Sequence, residues 1–208
     1  TGYVINGSQQ QFMVRDSAIG GWSNAVWNQV FSGVLGAPAQ SSPTPPYTTL
    51  DTSPITREKP FLYVDDNGDF NVFVPAPRTD SSGTTWSGGP ADGRSIPIAD
   101  FFLARPTDSV RKINQALSRG KHVIFTPGVY QIDRRIRVDR RDTVVLGMGL
   151  ATLTPTRGNL VMRVADAPRV TLAGLMFDAG PQNSRAMLQI GTRGVSNGRT
   201  DPAYPTLL

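Results

Sequence analysis

Cysteine is absent from the 208 residues, histidine occurs once, at His122, and glutamate once, at Glu58. The first absence excludes disulfides and thiolate metal sites, and one imidazole cannot by itself build a zinc site or a catalytic triad. No apolar run approaches the roughly 18 residues of a membrane-spanning helix, and the opening residues do not read as a signal peptide. Helix start and stop signals are scarce. In their place stand 21 Gly and 17 Pro without any Gly-X-Y period, which points to a turn-dense, β-rich chain. Thr1-Gly2-Tyr3-Val4-Ile5-Asn6-Gly7 reads as the middle of a strand, so the chain is expected to begin inside a longer polypeptide.

The net charge is +5, with basic residues concentrated between Arg105 and Arg141. In the run from Asp133 to Arg141, however, Ile136 and Val138 alternate with charges as they do in a half-exposed strand with a solvated face. That reading is preferred to nucleic-acid binding, and neither a nucleic-acid nor a membrane partner is expected.

Along residues 1–38, strand-like runs (Tyr3-Val4-Ile5, Gln11-Phe12-Met13-Val14, Val26 to Val34) are broken by glycines. Residues 40–56 hold Pro43, Pro45, Pro46 and Pro54 among Ser and Thr, an extended linker that cannot hold a central strand. Residues 60–74 read as a β-hairpin around Asn67-Gly68. Its acidic turn lacks the ligand spacing of an EF-hand. Trp86, in a Gly/Ser/Thr stretch, is read as a plug over core before a surface aromatic for sugar stacking. Thr107-Asp108-Ser109 caps an amphipathic helix near 108–119, with Val110, Ile113, Ala116 and Leu117 on one face and Gly120 at its end. Apolar strands then recur at Val123-Ile124-Phe125, Val144-Val145-Leu146 and Val170-Thr171-Leu172-Ala173. That spacing is too short for βαβ units but suits turns of a β-solenoid whose open end the helix covers. The expected domains are terminal coils of one β-helix over 1–38, a linker with its hairpin over 39–100, the start of a second β-helix over 101–190, and a loop or truncated tail over 191–208.

The run Ile113-Asn114-Gln115-Ala116-Leu117, through Phe125-Thr126-Pro127-Gly128-Val129-Tyr130, to Val144-Val145-Leu146-Gly147-Met148-Gly149 resembles the opening of a pectin-lyase-like domain, a right-handed parallel β-helix in an all-β fold. Ser8 to Gln11 with Arg15-Asp16-Ser17, Gly20-Gly21-Trp22, Val26-Trp27-Asn28, Gly36 to Gln40, Arg57 to Tyr63 and Leu175 to Pro181 are similar to bacterial exo-β-1,3-glucanases (laminarinases) of glycoside hydrolase family 55. The resemblance implies two β-helices joined by a linker with a saccharide cleft between them, of which this chain is the central portion, in a secreted enzyme acting on β-glucan without a cofactor. Further coils, of the same parent polypeptide or another chain, would complete it.

Glycoside hydrolysis usually needs one carboxylic acid and one carboxylate. Glu58 stands between Arg57 and Lys59, which suits a surface ion pair better than a proton donor. The resemblance puts the general acid beyond this chain, which alone should be inactive and offers no catalytic residue. A lyase on the same fold would want an acidic calcium cluster, and no acidic trio sits at coil spacing. Sugar recognition remains, through aromatic faces and Gln, Asn, Arg and Asp hydrogen bonds. By resemblance the cleft-facing residues are Gln9, Gln11, Arg15, Asp16, Trp22, Trp27 and Asn28. The alternatives are amide ladders over Gln9 to Gln11, a core closed by Trp22 and Trp27, and a backbone-bonding turn at Asp178. A noncatalytic polysaccharide-binding or structural β-solenoid is the competing function.

Overall fold

The computed structural model describes residues 3–4, 11–23, 28–86, 88–89, 91–191 and 206–207. The first half runs β1 (Phe12–Ala18), β2 (Gln29–Leu35), β3 (Tyr47–Leu50), β4 (Ser53–Thr56), β5 (Phe61–Val64), β6 (Phe70–Pro75), β7 (Arg78–Ser81) and β8 (Gly93–Pro97). The second runs β9 (Phe101–Ala104), α1 (Val110–Ser118), β10 (His122–Phe125), β11 (Gly128–Ile132), β12 (Ile136–Val138), β13 (Val144–Pro155), β14 (Met162–Val164), β15 (Thr171–Phe177) and β16 (Leu188–Ile190). The fold is mostly β, and it divides into two compact units: residues 1–58 with 75–94, and residues 59–74 with 95–208.

In the first unit, β1, β2 and β3 form a parallel sheet in that order, with Phe12 opposite Gln29 and Gln29 opposite Tyr47. Phe31 is fully buried at its centre, with Phe12 edge-on at 5.8 Å between ring centroids. Residues 39–100, set apart as a linker by their composition, are divided between the two units. Proline explains both the expectation and the outcome. Pro43, Pro45 and Pro46 all precede β3, so Tyr47–Leu50 keeps its amides and pairs as an edge strand. Pro54 lies in β4, whose short antiparallel pairing with β7 skips it. Beneath these strands is a buried polar layer: Ser32 and Ser53 hydroxyls meet at 2.8 Å, and Ser81 donates to Asp16 at 2.9 Å.

In the second unit the sheet order β11-β13-β10-β9, with β15 also on β13, is parallel throughout, as is the sheet β12-β14-β16. Val123 and Phe125 face one core with Ile113, Tyr130, Ile136, Val145 and Leu153. Ile124, Val144 and Leu146 face a second, under Val72 and Val74 of the β5–β6 hairpin. Burial on both faces is why these strands read as unbroken apolar runs. The run at 144–146 opens a longer strand, β13, which continues to Pro155 with a register shift between Leu146 and Ala151. Ser109 caps α1 by accepting from the Lys112 amide, and α1 packs against β9, β10 and β12. Trp86 is 75% exposed, so the plug reading fails and the ring stands in solvent, because its Gly- and Ser-rich neighbours offer no apolar surface to cover.

Asp142 and Arg169 occupy left-handed backbone, at φ of 61° and 60°, just before β13 and β15. The Asp142 amide donates to the Pro168 carbonyl, and the Arg169 guanidinium forks onto the carboxylate, Nη2 to Oδ2 at 2.9 Å and Nε to Oδ1. The bonds from Arg169 hold the Asp142 carboxyl below its ordinary 3.8, against partial desolvation. A depressed carboxyl stabilises the fold above its unfolded value, and the contribution is lost as pH falls through the folded one. Arg169→Met is therefore expected to cost up to about 1 kcal/mol near neutral pH, after solvent screening. In urea melts across pH the gap from the parent should close below pH 3.8. A gap unchanged down to the lowest pH would show the pair to be uncoupled.

Candidate functional site

On β1 the alternation of a strand sets Gln11, Met13 and Arg15 outward and Phe12 and Val14 inward. Across from them, at the entry to β2, Asn28 accepts a hydrogen bond from the Thr48 hydroxyl at 3.0 Å. That bond fixes the amide with its nitrogen left to donate. Gln11 and Asn28 line one hollow of about 320 Å³, with Phe12, Met13 and Val30 as its apolar wall. Polar amides beside a small apolar surface are the materials of sugar recognition, hydrogen bonds for hydroxyls and contact for the C–H face.

Arg15, two residues along the same face, holds Glu58 at 3.0 Å and stands 3.6 Å from Asp16. The chain's one glutamate is thus ion-paired, as its flanking charges suggested, although the partner is 43 residues away. Asp16, at φ of 45°, takes the inward side that Phe12 and Val14 occupy, and its carboxylate accepts from Ser81. Its relative exposure is 8%, which sets it apart from Gln11 and Arg15. Trp22 is half-buried, its ring 5.5 Å from Phe31 and 6.0 Å from Tyr47. That packing favours core closure over sugar stacking for this ring. Gln9 and Trp27 lie outside the described residues.

The structure therefore brings Gln11 and Asn28 together, leaves Arg15 further along β1 in an ion pair with Glu58, and turns Asp16 and Trp22 toward the interior. Met13 and Val30 join the hollow without having been singled out, since an apolar residue alternating along a strand has no sequence mark beyond that of core. Ser81 meets Asp16 only through the pairing of β4 with β7, for which no local signal exists. His122 accepts the Val144 amide at Nδ1, 3.0 Å away, a structural bond that links β10 to β13. Asp178 accepts from the Ala179 amide at 2.9 Å, the backbone-bonding turn weighed above.

Residues 101–208 match the family model of the LAM55 pectate lyase-like domain. Over 201 residues the chain is 51% identical to an exo-beta-1,3-glucanase of Streptomyces sp. (strain SirexAA-E / ActE), covering 97% of this chain and 33% of that protein. The solved structure of sacteLam55A from Streptomyces sp. SirexAA-E matches with a TM-score of 0.92 at 50% identity, over 97% of this chain and 37% of that one. A variant of sacteLam55A in complex with glucose matches with a TM-score of 0.91 over the same shares. The chain thus spans about a third of the length of these relatives. By the match over its second unit, the chain belongs to the LAM55 pectate lyase-like family.

Proposed function

We propose that this chain is the glucan-holding portion of an exo-acting β-1,3-glucanase that works outside the cell, where its polymeric substrate is. The observation that carries the proposal is the 51% identity, over nearly the whole chain, to an exo-beta-1,3-glucanase. Its parallel ladders are successive coils of right-handed parallel β-helices. Support comes from regular offsets between paired strands, Ile136 to Met162 to Leu188 in the second unit and Phe12 to Gln29 to Tyr47 in the first. Parallel crossovers are right-handed in nearly all folds.

Within this reading, the outward face of β1 is the sugar-binding surface, with Gln11 and Asn28 donating to hydroxyls over Met13 and Arg15 setting the charge at its edge. Asp16 is a positioning group, held by Ser81 so that the Arg15 backbone is fixed. Glu58 neutralises Arg15 and is not the proton donor. The chain supplies binding and not the acid step, so laminari-oligosaccharides bind without release of glucose.

Calorimetric titration of laminari-oligosaccharides tests this. Replacing Gln11 and Asn28 together by Ala is expected to weaken binding roughly tenfold, the loss of two net hydrogen bonds. Unchanged affinity in that variant would move the sugar elsewhere. Turnover by this chain alone would reinstate a carboxylate here as the acid. Binding with no hydrolysis in any protein carrying this chain would favour a noncatalytic polysaccharide-binding solenoid.

A further inference from the structure

Residues 105–163 carry twelve Lys or Arg against four Asp and no Glu. Some cations of the second unit have a carboxylate: Lys112 has Asp108, Lys121 has Asp100, and Arg141 and Arg169 share Asp142. One group differs. The outward residues of α1 and β12 enclose a groove of about 590 Å³ lined by Arg111, Arg134, Arg135, Arg137, Asn114 and Gln115. Only Arg134 has an acid there, Asp133 at 3.0 Å. Among the described residues Arg111, Arg135 and Arg137 have no ion pair.

The groove is held in shape. Asn114 donates from Nδ2 to the Arg135 carbonyl at 3.0 Å and accepts the Arg137 amide on Oδ1 at 2.8 Å, which ties α1 to β12 through backbone atoms. Ile136 and Val138 are buried, so Arg135 and Arg137 are fixed outward by alternation. Arg137 is also in register with Arg163 on β14. Like charges directly opposite in a ladder repel, and an anion lying across them removes that cost. Guanidinium forks match the planar carboxylate in two parallel bonds, and Gln115 offers an amide to neighbouring hydroxyls.

We propose that this groove binds an acidic polysaccharide, a chain of sugars bearing carboxylates, as a site separate from the one for neutral glucan. No aromatic side chain lines it, so the bases of a nucleic acid would find no stacking partner. The site lies in the second unit and takes a charged ligand, so it stands or falls independently of the glucan reading.

Oligogalacturonate titrated against the 208-residue chain tests the proposal, with laminari-oligosaccharide and single-stranded DNA as parallel arms. Oligogalacturonate is expected to bind, and raising salt from about 50 to about 200 mM should weaken it fivefold or more through counterion release. Combined Arg111→Ala, Arg135→Ala and Arg137→Ala should lower affinity at least roughly tenfold. Arg105→Ala, which removes one charge outside the groove, should change it less than about twofold. The corresponding triple Lys variant keeps charge without the fork and is expected to fall between them, which serves if the Ala variant does not fold. Absence of binding at low salt, or an equal loss in Arg105→Ala, overturns the site. Tighter binding to DNA than to oligogalacturonate overturns the assignment to a polysaccharide.

Discussion

Gly33→Ala is expected to destabilise the first unit by roughly 2–5 kcal/mol, from left-handed strain and overpacking together. Gly33 interrupts β2 at φ of 60°, at the level where Asp16 interrupts β1. A Cβ there would lie 2.3 Å from the Ser81 carbonyl oxygen, 2.8 Å from Asp16 Oδ1 and 3.1 Å from the Ser53 hydroxyl. The first is backbone, so β7 must move, and with it the Ser81 hydroxyl that donates to Oδ1 of the buried Asp16. The contrast that isolates this clash is Gly83→Ala, also in the first unit. Its φ is similarly positive, at 68°, but the added Cβ meets only the Leu35 side chain at 3.1 Å. Backbone strain is common to both, so Gly83→Ala should lose only about 1–2 kcal/mol. Urea melts read by Trp fluorescence measure both. Equal losses would mean that the polar layer under β2 yields without cost.

The second unit was legible in the sequence because its signals are local and repeated. Ser109 with Gly120 brackets α1, and apolar triplets recur at nearly the offset by which Val123 pairs with Val145 and Val145 with Leu172. The β5–β6 hairpin was equally plain, since one Asn-Gly turn fixes both strands. Within β13, Gly147 to Leu150 carries the chain across a register shift, so that one strand runs alongside β10 first and β11 after it. The first unit was less legible. Its third strand hides behind prolines that stop just before Tyr47, and a composition window cannot separate a proline beside a strand from one inside it. At the site, residue types pointed to Gln11 and Asn28, but facing did not follow from type. Asp16 is also a polar residue of the kind that binds hydroxyls, yet it falls on the inward side of β1 with Phe12 and Val14, while Arg15 falls outward. Long-range pairs such as Arg15 with Glu58 and Asp16 with Ser81 arise from topology, and no spacing rule along the chain contains them.

Ile113→Asp is expected to unfold the start of the second unit. Ile113 is fully buried on the inner face of α1 between Val110 and Leu117, in the core that contains Phe125, Tyr130 and Ile136. Loss of the side chain alone costs about 2–5 kcal/mol, and an unpaired carboxyl in an apolar site adds several more. The physical consequence goes beyond a lower melting temperature. β9 and β12 are the terminal strands of their sheets, and α1 packs on both, so losing the helix bares their edges together with the apolar core behind them. Exposed parallel edges recruit other chains. The variant should therefore lose helical signal by circular dichroism and elute as larger species in size-exclusion chromatography, whereas Ala116→Asp, on a half-exposed position of the same helix, should remain as the parent. If Ile113→Asp lost its helix yet kept the parent's elution and strand signal, the ladders would close without α1. In that case the helix would be an accessory to the stack and not its cap.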